Sequence, residues 1–237
     1  MIFPDSKRIF YDRNTLCRVV LQLRFNSPLK IEETPDVFKS RVDGICPVYM
    51  QVHARDGSKG VIHVFKNDNT GRSIELSDRA LTIVFIDYQR WEDFYEFHLK
   101  SLDAFKATYN VPSFSRIGLR YVDRFLDTEL NADNWRSLLK TPFLGLMGMN
   151  DGSLNGFQLM QELKLDAPNA KVMIITSSLI RNDACCGVQL DYDCSVNETT
   201  AYEEIKQRLD YLHVQSRNIF EYVITDELRK IMGVREQ

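Results

Sequence analysis

The chain has 237 residues, of which 44% are hydrophobic and 27% charged, and its formal net charge is -3. That is enough chain for one large domain or two small, closely packed ones. The slightly acidic balance argues against broad nucleic-acid binding, which needs a basic domain or face.

Elements follow in chain order. Residues 16–25 alternate, with Val19, Leu21, Leu23 and Phe25 on one face and Arg18, Val20, Gln22 and Arg24 on the other. Pro35 ahead of Asp36–Val42 predicts a short helix with proline in its first turn. Strands are expected at 48–54, 61–66, 73–77 and 81–87, joined by the turn-rich runs 56–60 and 67–71. The period then changes. Trp91, Phe94, Tyr95, His98, Leu102, Phe105 and Tyr109 recur at three- and four-residue steps, which predicts an amphipathic helix over 91–109. Phe97 falls off the main stripe and is the candidate for an exposed aromatic that contacts a partner.

A strand follows at Ser115–Phe125. Arg116, Arg120 and Arg124 share one of its faces, while Ile117, Leu119, Tyr121 and Phe125 share the other. Asp133-Asn134 ahead of Trp135, Leu138 and Leu139 predicts a short helix, and glycine-rich 142–156 reads as a loop between two halves. Strands are expected at 157–167, 171–180 and 187–196. Thr200 and Glu203 fit a capping box that opens a helix over 200–223. Its seam is Tyr202, Ile205, Leu209, Leu212, Ser216, Ile219 and Val223. A short helix from Thr225 closes the chain. The expected fold is therefore α+β, with largely antiparallel sheet packed by two long amphipathic helices. Its halves, 1–130 and 131–237, each run from strands into one long helix, so an architectural duplication is expected.

The central strand and its surroundings also carry a family resemblance. Residues 18–25, Tyr88-Gln89-Arg90-Trp91, the Arg116-Ile117-Gly118-Leu119-Arg120-Tyr121 strand, and Leu212-His213 through Phe220 occur in that order. The pattern resembles a sporadically distributed prokaryotic protein family of similar length whose members are uncharacterised. The resemblance implies no catalytic residues. The patchy occurrence of that family is similar to that of phage-defence and toxin–antitoxin cargo.

Two constellations could carry chemistry. Arg116, Arg120 and Arg124 form a candidate anion-binding face, since guanidinium forks grip phosphate or carboxylate bidentately. The competing reading is internal pairing with Glu162, Asp166, Asp191 or Asp193 on later strands. Glu162, Asp191 and Asp193 are also candidate Mg²⁺ ligands, with the arginines on phosphate, because Mg²⁺ takes carboxylate and phosphate oxygens. Otherwise catalytic motifs are missing. There is no phosphate-loop signature, the four histidines lack metal-type spacing, and the five cysteines read as reduced thiols.

The preferred expectation is a non-enzymatic binding or regulatory component that works through protein partners, without a cofactor. The alternative is a nucleotide- or polyphosphate-binding protein, such as a Mg²⁺-dependent phosphohydrolase. No apolar run approaches the roughly 18 residues of a membrane span, and no signal-peptide segment opens the chain, so the expected location is the cytoplasm.

Overall fold

A computed structural model describes residues 3–31, 35–53, 60–126, 135–148, 156–181 and 184–234. Nine strands hydrogen-bond in the order β2-β3-β4-β5-β1-β6-β9-β8-β7 in one antiparallel sheet. They are β1 Leu16–Arg24, β2 Val48–His53, β3 Val61–Asn67, β4 Arg72–Leu76, β5 Ala80–Phe85, β6 Arg116–Leu126, β7 Gln158–Lys164, β8 Ala170–Arg181 and β9 Ala184–Val196. Among the described residues there are four α-helices: α1 Asp36–Val42, α2 Trp91–Lys106, α3 Ile205–Val223 and α4 Asp226–Met232. A 3-10 turn at Tyr202–Glu204 leads into α3. No helix of the described residues is long and apolar enough to cross a membrane.

Strand winding repeats along the chain. In the first half, β1 lies beside the last strand, β5, and β4, β3 and β2 follow outward. In the second half, β6 lies beside the last strand, β9, and β8 and β7 follow.

The chain divides into two compact units. Unit A is Arg18–Leu119 with Ser195–Leu209; unit B is Met1–Cys17, Arg120–Cys194 and Asp210–Gln237. They are interleaved along the chain, and the expected cut after residue 130 falls inside unit B.

Unit A is held by aromatic packing on one sheet face. Leu21 pairs with Ile83 and Leu23 with Leu81 across β1 and β5, and Ile74 continues the row on β4. Phe38 of α1 meets Phe65 edge-on at 5.1 Å, and Phe105 of α2 stacks on Phe25 at 5.8 Å. The turn after β3 is closed by the Asn67 side chain, which accepts from the Asn69 N–H, and by Gly71 at φ +62°. Only glycine adopts that backbone without strain.

The apolar arc of α2 is wider than its predicted stripe. Phe97, Ser101 and Ala104 are buried as well. Phe97 is only 5% exposed, and its ring lies edge-on to Phe85 at 5.2 Å. It is therefore a core residue, which corrects the expectation of an exposed partner contact. A three- and four-residue stripe marks the centre of a buried arc and misses the flank that a broad sheet also covers.

Unit B packs α3 on β6 and β9. The predicted seam is buried from Leu209 through Leu212, Ser216 and Ile219 to Val223. The residues before β1 run along α3 and α4. Ser6 donates from its N–H and its hydroxyl to Asn218 Oδ1, both at 2.9 Å. The Tyr11 hydroxyl donates to the Glu221 carboxylate at 3.0 Å.

Capping of the last helices differs in register from the expectation. Glu204, not Glu203, reaches back to accept from the Ala201 N–H at 2.9 Å. Thr200 donates its hydroxyl to the Glu198 carbonyl at 3.2 Å. Thr225 does cap α4, accepting from the Leu228 N–H at 3.3 Å. The helix expected after Asp133-Asn134 is a 3-10 turn at Trp135–Ser137; the two residues before it lie outside the described residues. Two more 3-10 turns, Thr141–Phe143 and Gly145–Gly148, occupy the start of the predicted loop, whose residues 149–155 are also outside the described set.

Candidate functional site on the arginine face

Strand β6 builds the site by alternation. Tyr121, Asp123 and Phe125 turn to the face that α3 covers, while Arg120 and Arg124 turn to the other face and are exposed. On neighbouring β9, Tyr192 and Cys194 share the α3 face, so Gln189, Asp191 and Asp193 join the arginines.

The ion pair on this face is close. Arg120 Nε donates to Asp191 Oδ1 at 2.7 Å, and Nη2 donates to Oδ2 of the same carboxylate. Both carboxylate oxygens are engaged, the fork geometry in which arginine binds most specifically. Asp191 is buried, while the Arg120 side chain is 47% exposed. Hydrogen bonding to Asp191 raises the Arg120 pKa, with burial opposing and the Asp191 and Asp193 charges assisting. Arg124 Nε donates to Gln189 Oε1 at 3.1 Å.

The outer strands extend this face. Leu163 pairs with Val172 and Gln161 with Ile174 on the covered side of β7 and β8. The alternate residues Met160, Glu162 and Lys164 of β7, and Lys171, Met173 and Ile175 of β8, therefore share the arginine side. Lys171 Nζ donates to Glu162 Oε2 at 2.6 Å, with both side chains about half exposed.

Of the three predicted arginines, unit B contains Arg120 and Arg124. Arg116 belongs to unit A, where its guanidinium folds back over Gly118. A Cβ built on that glycine would sit 2.1 Å from Arg116 Nη1, so the bare glycine leaves the space the side chain fills.

The predicted carboxylate set is not assembled. Among the described residues no group of three metal-ligating side chains comes together. Asp191 is held by Arg120. Glu162 is held by Lys171 and lies two strands away from β9 in the sheet order, roughly 10 Å at ordinary strand spacing. This corrects the expectation of Glu162, Asp191 and Asp193 as joint Mg²⁺ ligands.

Behind the face lies a polar network that sequence reasoning missed. Asp123 is fully buried and accepts from the Thr15 hydroxyl at 2.7 Å and the Tyr192 hydroxyl at 3.1 Å. Burial pushes its pKa from 3.8 up to about 7, although both hydrogen bonds pull it down. Tyr192 stacks on Tyr121 at 5.7 Å, and the Tyr121 hydroxyl lies 2.9 Å from His213 Nδ1. The signal was present in the alternation itself, which places an aspartate among Leu119, Tyr121 and Phe125. The thiols beside this network are poor nucleophiles. Burial raises Cys194 to about 12, and it also raises Cys17 despite the opposing charge of Arg124.

No protein-family model matches the chain, and no curated protein matches it.

Proposed function

We propose that this chain is a non-enzymatic binding or regulatory component that acts through protein–protein contacts on the arginine face of unit B. The observation that carries the reading is the Arg120 fork closed on Asp191. A site for nucleotide or polyphosphate needs its guanidinium donors aimed at the ligand, whereas here the central fork is satisfied within the protein. The charges of the face nearly balance: Arg120, Arg124, Lys164 and Lys171 stand against Glu162, Asp191 and Asp193. Met160, Met173 and Ile175 lie among them, with Met160 63% exposed. Arginine and methionine are enriched at protein interfaces, and the lysines and carboxylates around them suit a polar rim.

A phage-defence or toxin–antitoxin-like setting follows from the family resemblance alone. The repeated strand winding supports the accompanying reading of an architectural duplication.

Two experiments test the proposal. Affinity isolation of the tagged chain from its native host should return a reproducible protein partner above background; its absence in repeated isolations would overturn the reading. A thermal-shift screen of nucleotides and polyphosphate, with and without Mg²⁺, should leave the melting temperature unchanged. A shift that Arg120→Ala abolishes would favour phosphate binding instead, because a ligand selective for the folded state raises the melting temperature.

A further inference from the structure

Strand β2 ends the sheet order on the unit A side, and among the described residues no strand is hydrogen-bonded to its outer edge. Its sequence, Val48-Tyr49-Met50-Gln51-Val52-His53, contains no Asp, Glu, Lys, Arg or Pro. This is unusual for an edge, because exposed edges are normally guarded by charge or proline. The opposite edge strand, β7, follows that custom, carrying Glu162 and Lys164.

The side chains of β2 sort cleanly by face. Tyr49 pairs with Phe65, whose ring packs on Phe38 of α1, so Tyr49, Gln51 and His53 lie on the helix side. Val48, Met50 and Val52 lie on the other side, where Met50 pairs with Val64 and Val52 with Ile62. Val48 is 40% exposed and Met50 42%. An apolar strip thus runs out to an edge that no described strand continues.

We propose that β2 pairs antiparallel with β2 of a second copy of this chain, about a two-fold axis through Met50. In that register Met50 faces Met50 of the other copy, and Val48 faces Val52. The two apolar strips then join across the seam. On the helix side Tyr49 faces Gln51. These side chains already form a complementary pair within one chain, where Gln51 Nε2 donates to the Tyr49 hydroxyl at 2.9 Å.

The absence of charge is what selects a second copy as the occupant. A charged edge placed against itself brings like charges face to face, which destabilises pairing; this strand brings none. Among the described residues the nearby cations are Lys39, over the Tyr49 ring at 5.3 Å, and Lys66, paired with Asp68 at 2.9 Å. The seam is short, roughly 20 Å for six residues. One strand pair of that length falls in the weak interface class below about 1,200 Å². The dimer is therefore reversible and concentration-dependent. This inference is independent of the function proposed for the arginine face.

Sedimentation of the full chain from micromolar to near-millimolar concentration tests it. The expected result is a dimer fraction that rises with concentration, and Met50→Lys should hold the chain monomeric without lowering its melting temperature. Met50→Cys should cross-link under mild oxidation well above the wild-type background, because two-fold pairing sets the new thiols opposite each other. Gln51→Cys, which faces Tyr49, should not. A chain that stays monomeric throughout overturns the proposal, including the case in which an unlike partner's strand fills the edge. A dimer that survives Met50→Lys, or equal cross-linking at Met50→Cys and Gln51→Cys, overturns it as well.

Discussion

Replacing Asp123 with Asn and His98 with Phe separates two opposing acid responses. Asp123 is buried in unit B, and its pKa rises from 3.8 to about 7. The folded state thus holds a proton that the unfolded chain releases. The stability this brings is fully present below about pH 4 and is lost as pH rises through about 7. His98 is buried in unit A, and desolvation lowers its pKa from 6.5 to about 4. Among the described residues its Nδ1 has no hydrogen-bond partner, so no bond offsets the cost of charging it. Its contribution has the opposite sign: present above about pH 6.5 and lost as pH falls through about 4.

At about 1.4 kcal/mol per pKa unit, Asp123 is worth up to about 4 kcal/mol and His98 up to about 3 kcal/mol. Between about pH 4 and 6.5 the two slopes oppose each other at up to about 1.4 kcal/mol per pH unit each, so this pair leaves the wild-type profile nearly flat. Asp123→Asn keeps both hydroxyl contacts available, since an amide accepts through oxygen and donates through nitrogen. It should lose stability on acidification and exceed wild type at about pH 7.5 by a few kcal/mol. His98→Phe should gain stability on acidification relative to wild type. Urea unfolding from about pH 4.5 to 7.5 reads both effects. An Asp123→Asn profile parallel to wild type would refute the reasoning for the carboxyl, and a parallel His98→Phe profile would do so for the imidazole.

Substitutions at three further positions probe packing and the arginine face. Arg120→Ala leaves the buried Asp191 carboxylate without its fork; with Arg120 half exposed, the expected loss is about 1–3 kcal/mol. Arg120→Lys should recover only part of that, because an ammonium cannot bond both oxygens in the fork geometry; unchanged urea midpoints for both variants would show that the pair does not hold the face. Gly187→Ala places a Cβ 2.2 Å from the Phe125 carbonyl oxygen. Backbone cannot yield there as a side chain could, so a loss of about 2 kcal/mol or more is expected, and an unchanged melting temperature would contradict this contact. Phe97→Ala should cost about 3–5 kcal/mol as a core truncation; a change within error would return Phe97 to the surface.

Strands were the most legible part of the sequence because period-two alternation is a direct consequence of backbone geometry. Expected bounds such as 61–66 and 81–87 fall within one or two residues of β3 and β5. The seam of α3 was legible for the same reason. Interleaving of the units was not, because contacts such as Ser6 to Asn218 join segments 212 residues apart and leave no local trace. Arg120 and Asp191 could each be placed on a strand face, yet pairing them required knowing that β6 and β9 are neighbours. Asp123 was hidden by its type: alternation places it among apolar side chains, but a carboxylate is seldom read as core. Phe97 shows the converse, since a helix under a broad sheet buries more than its central stripe.

The claim that the arginine face recruits a protein is tested most directly by isolating wild type and an Arg124→Glu, Met160→Asp double variant side by side from the native host. Both positions are exposed, so the variant should fold with an unchanged melting temperature. The account predicts a reproducible partner with wild type that is lost with the variant. A partner retained equally by both proteins would contradict it.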